Sequence, residues 1–162
     1  MKKLYILLCL CSLVWLGCSG APSSAITEYR VTIGTATLDD YNDLSSKILN
    51  RHRFLVDRTH DRGNGAVIEC KYEYPALSNE EVLKGIEEIR YQLLLEARLK
   101  GSGAGTYSVR AIVKTYGRFS GDETWVDIPA NNEIKSRIKL MANDLKTEFE
   151  NKIRVFYSHF TI

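Results

Sequence analysis

The 162-residue chain carries 22 Lys and Arg against 20 Asp and Glu, and 44% of its residues are hydrophobic. That length and composition suit one globular domain with its own core, and they exclude a disordered, collagen-like or repeat-array chain. The near balance of charge excludes a global field that gathers nucleic acid, so no nucleic-acid partner is expected.

The first stretch of the chain has a different pattern from the rest. Lys2 and Lys3 precede the run 4–16, which is apolar except for Ser12. Thirteen helical residues span about 20 Å, short of the roughly 30 Å of bilayer hydrocarbon. The pattern is that of a secretory signal peptide. It ends in Leu16, Gly17 and Cys18, with Ser19 and Gly20 following. Small residues ahead of one cysteine resemble the lipobox of bacterial lipoproteins, over about the first 18 residues. The resemblance implies a diacylglyceryl group on the Cys18 thiol, cleavage just before it and, often, acylation of the new amino terminus. Two or three acyl chains anchor a protein effectively permanently. Ser19 in place of Asp after the cysteine implies, in the diderm sorting pattern, the outer membrane with the domain facing the periplasm, and in a monoderm or surface-exporting bacterium the outer face instead. The alternative is an ordinary secreted chain cut after Ala25, where Ser23 and Ala25 supply the small residues.

Removing residues 1–17 takes 162 residues to 145 and leaves 20 basic and 20 acidic side chains, because Lys2 and Lys3 depart. Cys9 and Cys11 depart with them and Cys18 carries lipid. Cys70 is then the only thiol, so no intramolecular disulfide is expected. It alternates with Ala66, Ile68, Tyr72 and Tyr74 and reads as a buried small hydrophobe.

Residues 18–25 read as a lipidated tether, and 26–162 as one α+β domain. In 28–36, Tyr29, Val31 and Ile33 alternate with polar residues, which predicts a strand. Thr37 and Asp40 open a helix bearing Leu38, Tyr41, Leu44, Ile48 and Leu49. Segments 53–59 and 66–74 read as a hairpin turning at Gly63 and Gly65. Ser78 and Glu81 form a capping box ahead of Val82, Ile86, Ile89, Leu93 and Ala97, which predicts a helix ending near Gly101. Strands follow at 106–116 and near 123–128. A long helix then carries Ile134, Ile138, Met141, Leu145, Phe149 and Ile153. The expected order is β-α-β-β-α-β-β-α. It makes a mostly antiparallel sheet of about five strands with two or three helices. Its first six elements have the succession of a ferredoxin-like core. The layout loosely resembles small periplasmic α/β domains of envelope assembly, such as the lipopolysaccharide-assembly lipoprotein. That likeness lies in element order alone, and fold does not establish function.

Catalytic patterns are sparse. Gly101, Gly103 and Gly105 follow a helix and precede a strand in this reading, the reverse of a phosphate-binding loop. His52, His60 and His159 are scattered and lack zinc-ligand spacing, so no metal is expected. Glu123 and Asp127 flank Trp125 with no second acidic cluster to form a glycosidase pair. No cofactor is expected and the chain reads as a non-enzyme. The aromatic residues point elsewhere. Opposite Val109 and Val113, a half-polar face carries Arg110, Ile112, Lys114 and Tyr116, with Trp125 across the hairpin. Either the last helix covers this face or it is a partner-binding surface, since aromatics and Arg enrich such sites. The tail residues Phe156, Tyr157 and Phe160 join it as candidates. The leading expectation is a membrane-anchored binding or scaffold module of the cell envelope. It would be held by membrane lipid through Cys18 and meet an envelope protein. A lipid- or glycan-binding protein is the alternative, and a small hydrolase around His60 or Glu123 the third reading.

Overall fold

A computed structural model of the chain describes residues 27–61, 63–101 and 105–158. The leader, Cys18, the tether and Phe160 lie outside the described residues. The elements are β1 (Tyr29–Thr37), α1 (Leu38–Arg51), β2 (Val56–Asp61), β3 (Gly65–Cys70), α2 (Asn79–Leu83), β4 (Ile86–Leu99), β5 (Thr106–Phe119), β6 (Trp125–Asp127) and α3 (Asn132–Ser158). The fold is α+β, with one antiparallel sheet in the order β1-β5-β4-β3-β2. β6 joins β5 beyond the point where β1 begins. Strand alternation makes β1 and β2 parallel to each other, with three strands between them. The split βαβ unit has one there.

Local chemistry explains the helix ends. The Thr37 hydroxyl accepts the Asp40 N–H at 3.1 Å, as its spacing predicted, and Asp39 and Asp40 face the positive end of the helix dipole. α1 then buries Tyr41, Leu44, Ser45, Ile48 and Leu49, one stripe at 3.6-residue period. At its other end Phe54 N–H reaches Leu49 C=O at 2.9 Å and Arg53 N–H reaches Asn50 C=O at 3.0 Å. This is a Schellman turn, and Arg53 occupies its left-handed position with φ +62°. An L side chain there costs about 1 kcal/mol. Arg53→Gly should therefore raise the unfolding free energy by about 0.5–1 kcal/mol, less than the full strain because glycine loosens the unfolded chain. Urea denaturation measures it.

The segment after Ser78 departs from expectation. The capping box forms, with Ser78 N–H on Glu81 Oε2 at 2.7 Å and Glu81 N–H on Ser78 Oγ at 3.3 Å. The helix it starts lasts only to Leu83. Gly85, at φ +77°, turns the chain, and residues 86–99 form the long strand β4. Ile89, Leu93 and Ala97 satisfy both a helical and an alternating period. Tyr91 and Leu95 decide between them, because all five are buried on one side of the sheet. β4 pairs with β5 along its whole length, from Ile86 opposite Phe119 to Leu99 opposite Tyr107. The glycine-rich segment after Leu99 is therefore the connection of a hairpin, and Ser102, Gly103 and Ala104 lie outside the described residues.

The last helix, α3, is capped by Asn131, whose Oδ1 accepts the Ile134 N–H at 2.9 Å. It buries Ile134, Ile138, Met141, Leu145 and Phe149 against α1 and the sheet. Fully burying side chains of this size contributes about 1.5–3 kcal/mol each. Both α1 and α3 pack on the face formed by Val109, Ala111, Val113, Leu93 and Leu95. Cys70 lies on that face too, completely buried, and burial pushes its thiol pKa up to about 12. It is a thiol at neutral pH, unsuited to nucleophilic work.

Candidate partner-binding surface

Two packed layers leave the other face of the sheet uncovered by any described helix. In an antiparallel pair, residues opposite one another share a face. Arg90 lies opposite Tyr116, which lies opposite Asp127, and Arg118 stands between Glu88 and Trp125. Farther along, Lys114 lies opposite Gln92, Ile112 opposite Leu94, and Arg110 opposite Glu96. The structure thus brings Arg110, Lys114, Tyr116 and Trp125 onto one open, half-buried face. α3 does not cover it, having packed on the opposite side. Phe156 and Tyr157 belong to the last turn of that helix.

The centre of the face is a residue that sequence reasoning missed. The Arg90 guanidinium lies 4.1 Å from the Trp125 ring, 4.5 Å from Tyr72 and 5.4 Å from Tyr116. Tyr72 meets Tyr116 edge-on at 6.1 Å between centroids, and Tyr74 meets Trp125 likewise at 6.5 Å. Arg118 pairs with Glu88 at 2.7 Å and lies 5.8 Å from the far side of this cluster, over Trp125. Arg90 Nε has no hydrogen-bond partner among the described residues, so aromatic π-faces hold its charge. Burial raises the Tyr116 phenol pKa, with Tyr72 and the Asp127 carboxylate acting in the same direction. The hydroxyl is neutral at pH 7 and works as a hydrogen-bonding group.

Why Tyr72 and Tyr74 point here follows from the residue between them. Both were expected on the face of Cys70. Instead Glu73 bridges to Tyr91, each accepting the other's N–H at 2.9 Å, and its carboxylate turns toward the helices. There it accepts the Tyr91 hydroxyl at 2.9 Å and pairs closely with Arg137 of α3. Arg137 also donates to Tyr91 Oη at 2.6 Å and to His52 C=O at 3.1 Å. With Glu73 held inside, alternation puts both tyrosines outside.

Beyond Lys114 the face becomes ionic. Glu96 is buried, and it accepts Arg110 Nε at 2.5 Å and Arg98 Nε at 2.8 Å. Burial by itself would raise the Glu96 pKa, but the hydrogen bonds from the two arginines outweigh it and hold the carboxyl below its usual range. A depressed folded-state pKa contributes stability that is complete above the ordinary glutamate value near ~4.3. That contribution disappears as the pH falls through the lower folded-state value. Glu96→Gln should cost about 2 kcal/mol at pH 7 and flatten the acid limb of the stability curve. Urea titrations from neutral to acid pH measure both effects.

The remaining candidates lie apart from the cluster. His60 sits on the edge strand β2 with Nε2 3.7 Å from Glu69, and Glu123 is exposed in the turn before β6. His52 caps α1 and contacts Asp144 of α3 at 2.8 Å, a tie between helices. The open face offers rings to stack on and guanidinium groups to donate from, a composition suited to recognition. No protein-family model matches the chain, and no curated protein is similar to it.

Proposed function

We propose that this chain is a bacterial lipoprotein, anchored through acylated Cys18, that serves as a non-enzymatic binding module of the cell envelope. Its expected station is the outer membrane, facing the periplasm. The observation that carries the reading is the uncovered sheet face with Arg90 enclosed by Tyr72, Tyr116 and Trp125. Trp, Tyr and Arg dominate the energetics of protein interfaces, because each offers a large contact area with a polar handle. The working surface is this cluster together with Lys114 and Arg110, and the partner is an envelope protein.

A photo-crosslinking residue at Lys114 should give a discrete protein adduct in native membranes, while one at Lys139, exposed on α3, should not. Arg90→Ala should lower the adduct about tenfold or more, as expected for loss of a contact worth at least 1.4 kcal/mol. Equal adducts from both positions, or none from Lys114, would end the reading. Intact mass of the mature chain tests the anchor. A second reading, a lipid- or glycan-binding protein, draws on the same rings, because aromatic faces also stack on sugars. It predicts that a soluble envelope glycan competes away the Lys114 adduct.

A further inference from the structure

Exposed apolar side chains are unevenly spread over the domain. Among the described residues nine large hydrophobic side chains are exposed, and five of them lie between the middle of β4 and the end of the sheet where β4 begins. They are Tyr72 and Tyr74 beyond β3, Val82 and Leu83 in α2, and Val126 in β6. Glu73 bridges Tyr91, which sets the two tyrosines beside the first half of β4, and β4 begins opposite Phe119, where β5 stops. Ser120 N–H closes the end by donating to Gly85 C=O at 3.0 Å. Leu83 is 87% exposed there and Tyr74 58%.

The amino-terminal segment meets the domain at this end. Thr27 and Glu28 border a hollow of about 130 Å³ with Lys114, Tyr116 and Asp127. β1 then runs away from the aromatic cluster, starting with Tyr29 opposite Val113. Cys18 precedes Thr27 by nine residues, which caps their separation at about 32 Å.

We infer that this end of the domain rests in the interfacial zone of the phospholipid bilayer, with Tyr74, Val82 and Leu83 as its contacting side chains and Trp125, packed edge-on against Tyr74, alongside them. The inference rests on the anchored reading above. A short tether gives the end a high effective concentration at the bilayer, so a weak apolar contact is enough to orient the domain. Trp and Tyr suit the interface because one end of each ring is apolar and the other polar. Asp122 and Glu123 lie in the adjoining turn. Lys84 and Arg118 offset them, so the charge at this end is mixed and the contact draws on its apolar side chains rather than on anionic lipid. It stands the ionic half of the open face, Arg110 with Glu96, away from the bilayer and toward a partner beside the membrane.

The test uses the full chain carrying Trp15→Phe, which leaves Trp125 as the single tryptophan whether or not the leader is removed. The protein is purified from the membranes of an expressing bacterium and reconstituted in phosphatidylcholine vesicles with brominated or plain acyl chains. Flotation and intact mass report the anchor, and Trp125 emission reports the contact. The expected result is a floating, acylated chain whose emission brominated lipid lowers by about twofold or more. Tyr74→Glu with Leu83→Glu, both at exposed positions, should abolish that quenching without changing the far-UV spectrum or flotation. Phosphatidylglycerol should not increase it. An acylated chain that floats with undiminished emission would overturn the inference and leave the anchor standing. An unmodified Cys18 would overturn the anchored reading and the tether argument with it. Trp125 unquenched in vesicles but shielded in native membranes would assign this end to a protein and overturn the bilayer contact.

Discussion

Tyr41→Phe is expected to lower the unfolding free energy by about 3 kcal/mol, although it removes a single oxygen atom. Tyr41 is completely buried beneath the sheet, and its hydroxyl donates to Leu95 C=O at 2.7 Å while accepting the Ile68 N–H at 3.2 Å. Ile68 and Leu95 are paired residues of β3 and β4, so one side chain from α1 satisfies backbone groups on both strands. Phenylalanine leaves a buried N–H and a buried C=O without partners, at about 1–3 kcal/mol each. Burial also holds the phenol pKa far above its usual value, so the loss should not vary across neutral pH. Urea denaturation checks the magnitude, and the melting temperature should fall by about 10 °C. A loss below about 1 kcal/mol would mean that the two strands close on each other once the hydroxyl has gone.

The second large effect comes from Gly65→Ala, expected to cost about 3 kcal/mol or more through overpacking. A Cβ at Gly65 would stand 2.1 Å from Ala97 O, 3.2 Å from Ala97 C and 3.3 Å from Arg98 Cα. All three are backbone atoms of β4, so no side chain can swing aside. The strands must separate where Leu99 N–H donates to Asn64 C=O at 3.0 Å. Gly63→Ala is the control. Its φ of +68° strains an L residue, but its Cβ would meet nothing within 4 Å. That change should cost about 1 kcal/mol. Faster amide exchange at Leu99 in the first variant and not in the second would separate a steric clash from backbone strain.

Much of the candidate site was legible in the sequence through a period of two. Arg110, Lys114 and Tyr116 share a face by alternation, and the turn at Gly121 returns Trp125 to the same strand end. Arg90 was not legible, because the segment holding it fitted a helical period equally well at Ile86, Ile89, Leu93 and Ala97. Gly85 was the available signal: a glycine two residues after the expected first turn, suited to a positive φ, with strict alternation beyond it. Tyr72 and Tyr74 leave the face that alternation from Cys70 predicts for a different reason. Their direction depends on Glu73 reaching Arg137, 64 residues away, and short-range alternation carries no information about that pair.

By itself the sequence determined the stretches where one local rule had no competitor. These are α1 with its Thr37 cap, the stripe of α3, and the alternating faces of β1 and β5. Each rests on interactions within about four residues, so the pattern and its physical cause lie in the same window. The tertiary structure alone decided that residues 86–99 are a strand, that both long helices share one face, and that the opposite face stays open around Arg90. Those outcomes depend on where buried area and backbone hydrogen bonds can be satisfied together by segments far apart in the chain. β4 is a strand because β3 and β5 lie on either side to receive its hydrogen bonds, and no local propensity reports such neighbours.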